Sequence, residues 1–505
     1  MKRIAVIGAG ISGLGAAYHL STVAGLRRVT LFEAGAHFGG HANTVDVTLR
    51  DAEGRQVTHG VDTGFLVFNE RTYPNLIRLF GELGVPTAAS DMSFSVQIPP
   101  DARGLGGLRP GLEWCGSSLD TVFAQRGNLV SAAFWRMLRD LVRFNRLATA
   151  MAVRGSDAEL HQPIGEFLRE QGFGAAFQEG YLLPMVACIW SCPVQQMLRF
   201  PMATLIRFCH NHGLLQVANR PQWFTVAGGS REYVRRIVEL LPDARLACPV
   251  QSVVPLGERG DAGVMVHSAR GAERFDEVVL ACHPDQALGL LGAGATAAER
   301  HVLGAIRYHA NRAVLHTDTA LLPRRRKAWA AWNYERATDP DGEGRHVCLH
   351  YLLNRLQPLP WTQPVVVSLN PLREPAPETV LAEFDYDHPV FDQAAIDAQG
   401  HLPSLQGQRH IWFAGAWAGY GFHEDGLTSG LTAAQGLLAR TDLDDAGRVR
   451  EAYERALSRP ATAGEVDQAL SFVAKMQGEW KGDRLSAWQS FCKSLIASNE
   501  FIYIN

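Results

Sequence analysis

The chain has 505 residues, of which 47% are hydrophobic and 20% charged, and its formal net charge is −3. This length predicts two or three domains with a large core, and the near-neutral charge gives no general attraction to nucleic acid. The eight cysteines form no Cys-x-x-Cys pair, which is typical of reduced thiols and argues against a disulfide framework or a bound metal. A strand begins almost at the N-terminus and no apolar run is long enough to span a membrane, so we expect a cytoplasmic protein.

The first predicted element is a buried strand over residues 4–7, followed by a glycine turn and a helix. In the turn, Gly8 allows the tight bend, Gly10 lets the backbone approach a pyrophosphate, and Gly13 permits close helix–strand packing. The next strand ends at Glu33, 20 residues beyond Gly13. A carboxylate at that position can accept hydrogen bonds from a ribose 2′-OH. The pattern therefore predicts a bound dinucleotide without a 2′-phosphate.

Two further glycines, Gly39 and Gly40, follow the strand that ends at Glu33. They predict a second loop whose backbone lies close to the same pyrophosphate. This arrangement is typical of chains that bind FAD rather than of NAD dehydrogenases. We therefore expect FAD as the cofactor.

The next segments alternate strands and helices. The alternating residues 61–68 predict a strand, and residues 73–83 predict a helix that ends at Gly84. Residues 130–150 predict a long helix with four arginines on one face. These arginines are Arg136, Arg139, Arg143 and Arg146. Two interpretations stay open, namely a solvated basic face or an interfacial helix that contacts anionic lipid headgroups.

Later segments return to the nucleotide-binding pattern, which makes the domains discontinuous. Strands are predicted at 248–255, 264–267 and 275–282, and a strand, glycine loop and helix at 410–438. The FAD-binding domain is predicted to comprise residues 1–75, 222–295 and 405–440, and the substrate domain residues 76–221 and 296–404. Residues 447–505 predict a helical extension with a capping box at Thr462–Glu465 and an apolar helical stripe. The stripe comprises Leu485, Trp488, Cys492 and Leu495.

With these motifs and "FAGAWAGYGFHEDGLTSGLTAA" near residue 420, residues 1–440 resemble the flavin amine oxidase and phytoene desaturase superfamily. "VDTGFLVFNERTYPNL" and "LLNRLQPL" resemble one branch, bacterial FAD-dependent proteins encoded beside cyclopropane-fatty-acid-synthase-like methyltransferases. Some relatives are implicated in desaturating methyl-branched acyl chains of membrane phospholipids, a step toward furan fatty acids. The tail resembles the end of an unrelated bacterial family of unknown function, so a fusion and a native extension both stay open.

The resemblance implies an α/β fold: a Rossmann-like FAD domain of the GR2 type, an inserted α+β substrate domain and a helical tail. It also implies a set of residues that contact FAD. They are Gly8, Gly10, Ser12 and Gly13 at the pyrophosphate, Glu33 at the adenosine ribose, Gly39, Gly40 and His41 over the diphosphate, Gly64 and Phe65 at the isoalloxazine, Val250 at the adenine, Gly415, Trp417 and Asp425 near the ribityl chain, and Gly426 and Leu427 at the flavin pyrimidine. His41 stands where relatives usually have arginine, and Ala416 where they usually have an acidic residue.

Catalytic candidates lie just before the helix that is expected to face the flavin. Desaturation needs hydride loss to the flavin and proton loss to a base. Tyr420, His423 and Glu424 cluster there, and His423 or Glu424 is the predicted general base. The alternative is structural, with these side chains capping the helix and bonding the glycine loop.

The leading functional interpretation is an FAD-dependent desaturase of a lipid acyl chain. Trp329, Trp332, Tyr334 and residues 181–190 suit either an acyl channel or the core. The alternatives are a flavin amine oxidase, which would need an aromatic cage, a flavin-dependent double-bond isomerase, or a low-turnover flavin-binding partner of a lipid methyltransferase. Contact with the inner face of the membrane through the arginine-bearing helix is part of the leading interpretation.

Overall fold

The computed structural model describes most of the chain. The described residues are 2–23, 28–100, 106–154, 160–190, 197–216, 221–257, 262–337, 347–439, 445–457, 459–479 and 484–496. The strands are β1 (Ile4–Ile7), β2 (Val29–Phe32), β3 (Thr44–Arg50), β4 (Gln56–Asp62), β5 (Phe68–Asn69), β6 (Thr87–Ser90), β7 (Phe94–Gln97), β8 (Glu113–Cys115), β9 (Trp223–Val226), β10 (Asp243–Arg245), β11 (Val250–Pro255), β12 (Val264–Ser268), β13 (Gly271–Phe275), β14 (Glu277–Leu280), β15 (Tyr308–His316), β16 (Trp332–Glu335), β17 (Cys348–Leu352), β18 (Val366–Leu369), β19 (Val380–Pro389) and β20 (Ile411–Phe413).

The helices alternate with these strands. They are α1 (Ile11–Tyr18), α2 (Pro74–Leu83), α3 (Leu119–Val122), α4 (Ala132–Arg154), α5 (Ile164–Glu170), α6 (Ala175–Phe177), α7 (Leu183–Trp190), α8 (Met202–Asn211), α9 (Arg231–Leu240), α10 (Pro284–Leu291), α11 (Ala297–Gly304), α12 (Leu353–Leu356), α13 (Gln393–Leu405), α14 (His423–Ala439), α15 (Asp445–Leu457), α16 (Ala463–Glu479) and α17 (Arg484–Ile496).

A five-stranded parallel sheet forms the nucleotide-binding part of this α/β fold. Its strand order is β10-β2-β1-β14-β20, so it draws strands from all three predicted segments of the FAD domain. Strands β1, β2, β14 and β20 are buried along their whole length, as expected for a parallel sheet covered on both faces. The carboxyl ends of β1 and β2 therefore meet at one edge, where the glycine turn begins.

Small residues let α1 and α14 pack closely on that sheet. A Cβ on Gly430 would lie 2.0 Å from the Ser12 carbonyl oxygen, and a Cβ on Gly15 would lie 2.4 Å from Leu427 Cδ1. Neither helix could approach the other with larger side chains at these positions. The contact joins the first and last segments of the FAD domain.

A second sheet has seven strands, and the described residues also form three smaller sheets, β11-β12-β13, β3-β4 and β5-β9-β6. The order of the seven-stranded sheet is β19-β15-β18-β17-β16-β7-β8, and its pairs are antiparallel except for β16 with β7. All of its strands come from the two segments predicted as the substrate domain. Helices α4 to α8 lie between β8 and β9 in the chain, and α4 packs against α8.

The strand predicted over residues 61–68 is wrong for residues 63–67, which form a loop. β4 ends at Asp62, and β5 begins only at Phe68. Between them the chain turns back, because the Phe65 amide donates to the His41 carbonyl oxygen at 2.7 Å. A Cβ on Gly64 would lie 2.3 Å from that same oxygen. The alternating apolar pattern thus belongs to a buried loop.

The tail is a three-helix unit with an apolar cluster of its own. The predicted capping box is confirmed, since the Thr462 amide donates to Glu465 at 2.7 Å and the Glu465 amide to Thr462 Oγ1 at 3.3 Å. The predicted stripe on α17 is partly wrong. Ala487, Phe491 and Leu495 are buried in the cluster, whereas Cys492 is exposed. Among the helices that the structure describes, none is both long and apolar enough to cross a membrane.

Candidate flavin site and adjoining cavity

A cavity of about 650 Å³ opens at the carboxyl ends of β1 and β2 and is also lined by residues of the segments predicted as the substrate domain. Most of the predicted FAD residues line one end of it. They are Gly8, Gly10, Ser12, Glu33, Gly39, Gly40, His41, Gly64, Phe65, Val250, Gly415 and Trp417. The fold therefore brings together, at one cavity, predicted residues from four separate parts of the chain.

The glycine turn has the shape needed to receive a pyrophosphate. Gly8 has φ +103°, and a Cβ there would lie 2.7 Å from the Ala281 carbonyl oxygen. A Cβ on Gly13 would lie 1.9 Å from the Gly8 carbonyl oxygen, so Gly13 serves close packing and does not line the cavity. No atom lies within 4 Å of a Cβ built on Gly10. This open space before the N-terminus of α1 fits a bound phosphate group.

The Glu33 carboxylate is oriented by two backbone amides. Oε2 accepts a hydrogen bond from the Ala9 amide at 2.9 Å, and Oε1 accepts one from the Gly35 amide at 2.7 Å. Each oxygen retains a second lone pair for a ribose hydroxyl. The carboxylate also lies at the cavity wall, as its predicted role requires.

His41 provides the clearest indication of a missing partner. Its Nε2 is buried and has no hydrogen-bond partner among the described residues. The ring stacks on Tyr386 at 5.0 Å and meets His388 edge-on at 5.3 Å. Burial, and then the neighbouring His388, lower the pKa of His41 well below its usual value, so the ring is neutral at neutral pH. An oxygen of a bound diphosphate would satisfy this nitrogen, and the residues present thus fit FAD.

Three of the predicted cofactor residues do not line the cavity, and their contacts are with neighbouring parts of the protein. Gly426 and Leu427 do not line the cavity but pack α14 against α1, where a Cβ on Gly426 would lie 2.7 Å from Ile11 Cγ2. The Asp425 carboxylate accepts from the Phe422 amide at 2.9 Å, and burial raises its pKa to about 6. Asp425 therefore stabilises the turn before α14 as a capping residue.

Glu424 caps a neighbouring helix rather than facing the cavity. Its carboxylate accepts from the Asn75 amide at 3.0 Å, from Asn75 Nδ2 at 2.9 Å and from the Leu76 amide at 3.0 Å. These groups belong to the first turn of α2, whose N-terminus favours a negative charge. The expectation that Glu424 is a general base is corrected accordingly. Tyr420 also lies outside the cavity lining.

His423 does line the cavity, but its hydrogen bonding limits its use as a base. The ring stacks on Phe65 with centroids 3.7 Å apart, and Nε2 lies 3.1 Å from the Tyr233 hydroxyl. Burial raises the pKa of Tyr233, so the phenol stays protonated and its hydroxyl is the hydrogen-bond partner of Nε2. Burial also lowers the pKa of His423 to about 3. His423 therefore supports Phe65, and its Nε2 already has the Tyr233 hydroxyl as a hydrogen-bond partner.

The far end of the cavity is an apolar lobe. It is lined by Tyr73, Met92, Cys188, Ile189, Phe208, His212, Leu214, Trp223, Trp332 and Tyr351. Of the aromatic residues considered for an acyl channel, Trp332 reaches the lobe. Trp329 packs elsewhere, on Leu322, and Tyr334 lies in the core. Within residues 181–190 only Cys188 and Ile189 reach it.

His212 is a candidate base that no sequence motif marks. It directly follows α8, and its Nδ1 lies 2.9 Å from the Phe208 carbonyl oxygen, which makes Nδ1 the donor. Nε2 is then the acceptor nitrogen. The ring stacks on Phe208 at 3.9 Å, and burial lowers its pKa to about 4. His212 is thus a neutral imidazole of fixed tautomer at the wall of the apolar lobe.

A separate buried cluster lies in the seven-stranded sheet. Ligand-type atoms of Glu335, Cys348 and His350 lie within 4.8 Å of one another. Direct contacts explain this grouping, since His350 Nε2 lies 3.0 Å from Glu335 and Nδ1 lies 2.6 Å from Ser368 Oγ. We interpret it as a buried ion pair.

Comparison with known families decides the wider identity. Residues 11–342, more than half of the chain, match the family described as flavin containing amine oxidoreductase. The chain belongs to this family. It is therefore an FAD-dependent oxidoreductase of the flavin amine oxidase superfamily.

Solved structures of this superfamily have the same fold. A CLA-producing fatty acid isomerase from P. acnes aligns with TM-score 0.59 and 16% identity over 88% of this chain and 99% of its own. Cyclohexylamine oxidase from Brevibacterium oxydans IH-35A aligns with TM-score 0.60 and 17% identity over 87% of this chain and 100% of its own. Putrescine oxidase bound to putrescine aligns with TM-score 0.58 and 15% identity over 87% of this chain and 99% of its own. No curated protein sequence matches the chain.

Proposed function

We propose that this flavoenzyme dehydrogenates a fatty-acyl chain, forming a carbon–carbon double bond. The observation that carries the proposal is the apolar lobe, where no described lining residue bears a carboxylate or a permanent cation. The carboxylates on the described cavity wall are Glu33, on the nucleotide side, and Asp387, which is exposed beside His283. A hydrocarbon chain fits such a lobe, because apolar walls stabilise it by about 0.8 kcal/mol per buried CH₂.

An amine substrate fits this lobe less well. An aliphatic ammonium ion would need a carboxylate or a pair of facing aromatic rings to offset its lost hydration. The closest stacked pair in this part of the cavity, Phe208 and His212, has centroids 3.9 Å apart and leaves no space between the rings. The described residues therefore favour the acyl chain. The structural neighbours include both a fatty acid isomerase and amine oxidases.

The reaction requires one hydride and one proton to leave adjacent carbons. When bound, the flavin accepts the hydride. The carbon that loses the hydride gains positive charge, which makes the neighbouring C–H strongly acidic, so a weak base suffices. We assign the proton to Nε2 of His212, whose tautomer leaves this nitrogen as the acceptor. Phe208 and Trp223, both at the wall, exclude water from it.

The test is anaerobic reduction of the bound flavin, followed as loss of its oxidised absorbance. Phospholipid with methyl-branched acyl chains should bleach the flavin and yield a product two mass units lighter, whereas a panel of simple amines should not. Bleaching by amines alone would overturn the proposal. An acyl product of unchanged mass, with its double bond moved and no net bleaching, would instead assign isomerisation.

The role of His212 is tested with a neighbouring histidine as control. His212→Gln should slow flavin reduction by about 10²-fold or more while FAD content stays unchanged. His210→Gln alters a histidine outside the cavity lining and should have no effect. Full activity of His212→Gln would reassign the base. A lipid methyltransferase as partner stays a prediction.

A further inference from the structure

One surface of the molecule is both basic and apolar, and it lies on helix α4. The exposed side chains Trp135, Val142 and Val153 are 50%, 60% and 69% accessible. Just before the helix, Leu129 and Val130 are 49% and 80% accessible. Isolated exposed apolar residues are common, but a concentration of them within one segment marks an interaction site.

Arginines share the exposed face of α4 with these apolar side chains. At about 100° per residue, Trp135, Arg136, Arg139, Val142 and Arg146 fall within an arc of about 120°. Arg136, Arg139 and Arg146 are exposed. The acidic residue of the helix, Asp140, is buried and lies about 40° beyond the edge of this arc. We call this the α4 surface, defined by Leu129, Val130, Trp135, Arg136, Arg139, Val142, Arg146 and Val153.

Two of these arginines are not engaged in ion pairs. Arg136 and Arg146 pair with no carboxylate in the part of the chain that the structure describes, and Arg139 reaches Asp140 only at 3.5 Å. Arg143, which the sequence placed with them, is different. It donates to the Gln171 carbonyl oxygen at 2.8 Å and lies over the Phe173 ring at 4.7 Å, so it has a structural role.

Trp135 is held at the surface in an orientation suited to an interface. Its indole Nε1 donates to the Leu129 carbonyl oxygen at 2.9 Å, and its ring contacts Phe123 at 5.4 Å. The ring is therefore fixed beside Leu129 and Val130 while half of it stays exposed. Tryptophan is favoured where one side of a ring meets apolar groups and the other meets water, as at a bilayer surface.

The α4 surface also lies close to the apolar lobe. Helix α4 packs on α8, whose Phe208 lines the lobe. A surface groove of about 450 Å³ runs along the second half of α4, lined by Arg146, Thr149, Val153 and Leu215 among others. Leu214, the residue before Leu215, lines the lobe. One layer of helix thus separates the exposed surface from the cavity.

We propose that the α4 surface docks the protein on an anionic phospholipid bilayer, with Trp135 and its apolar neighbours entering the headgroup region and the arginines pairing with phosphates. Positive charge mixed with exposed apolar side chains is complementary to such a bilayer. The inference rests on the proposed function insofar as the bilayer would supply the acyl chain.

The experiment is flotation of the FAD-loaded protein with vesicles of phosphatidylcholine, with and without about one quarter phosphatidylglycerol, at about 0.1 M salt. Wild type should float with the anionic vesicles. The variant R136Q/R139Q/R146Q should lose about 100-fold in partitioning. The control R78Q/R235Q/R270Q removes equal charge from other exposed sites and should float as wild type does. W135S/V142S should weaken binding at unchanged charge.

Retained FAD absorbance and an unchanged melting temperature establish that each variant is folded. If wild type does not float, or if the α4 variant floats as well as the control, the inference is overturned, and a protein partner would be sought for this surface. The outcome is separable from that of the proposed function. Flotation without flavin reduction by lipid would leave docking intact, whereas reduction by acyl lipid in detergent without flotation would overturn docking alone.

Discussion

At the scale of single residues, equivalent glycines have different physical roles in the nucleotide turn. Gly8 and Gly13 are required by the protein itself, because a Cβ on either would meet a backbone oxygen. Gly10 has ordinary β-region backbone angles and open space around it. The fold therefore does not require glycine at position 10, and its missing side chain instead leaves space for the ligand. The sequence motif predicts the same division of roles among these three glycines.

This distinction predicts the behaviour of Gly10→Val. The branched side chain enters the space where the pyrophosphate is expected, so FAD affinity should fall by at least about 10³-fold while far-UV circular dichroism stays native. Gly13→Ala is the matched comparison and should lower thermal stability with or without FAD. Normal FAD content in Gly10→Val would contradict the assignment of this turn.

Glu424 provides a second prediction at this scale. Because its carboxylate caps α2, Glu424→Gln should lower the free energy of unfolding by about 1 kcal/mol. Flavin reduction by substrate should proceed at the wild-type rate, since the side chain does not line the cavity. Chemical denaturation and stopped-flow absorbance measure the two effects. A large rate loss without a stability loss would restore Glu424 as a catalytic group.

At the scale of elements, the seven-stranded sheet contains an ion pair that should couple stability to pH. Burial lowers the pKa of His350, but Cys348 and Glu335 outweigh this and raise it to about 9, above the unfolded value of 6.5. The protonated pair joins β16 and β17 inside the sheet. Such a raised pKa stabilises the fold fully below pH 6.5, and this contribution is lost as pH rises through about 9.

The corresponding measurement is the free energy of unfolding between about pH 6 and 10. Wild type should lose stability toward the alkaline end. His350→Gln should cost about 3 kcal/mol at neutral pH and flatten that dependence, because the buried Glu335 loses its closer cationic partner and keeps only Arg373 at 3.4 Å. His301→Gln, on an exposed part of α11, is the control. Equal pH profiles for wild type and His350→Gln would show that the pair is not charged.

At the scale of the whole molecule, the tail and the flavin-binding part have separate apolar cores. Helices α15 to α17 form their own cluster around Val449, Val466 and Phe491. We predict that truncation after Ala439 leaves FAD content unchanged and shifts the melting temperature of the flavin-bound part by less than about 2 °C. Truncation before α14 should abolish FAD binding, because α14 packs on α1. Loss of FAD from the first truncated protein would show that the tail supports the cofactor site. Whether the tail arose by fusion stays a prediction.

The sequence by itself determined the nucleotide-binding half of this protein. The glycine turn, Glu33 and the paired glycines act through backbone geometry that is local in the chain, so their spacing is sufficient to predict FAD. The long arginine-bearing helix and the capping box of the tail are local in the same sense and were also predicted. The superfamily and the α/β fold follow from these motifs and are confirmed.

Only the tertiary structure decided which side chains meet in the cavity. Glu424 and His423 are adjacent in sequence, yet one caps α2 and the other stacks on Phe65, because partners from distant segments determine where each points. His212 and Trp332 are 120 residues apart and both reach the apolar lobe. No local pattern encodes such a meeting, since it depends on how a helical segment packs against a sheet formed later in the chain.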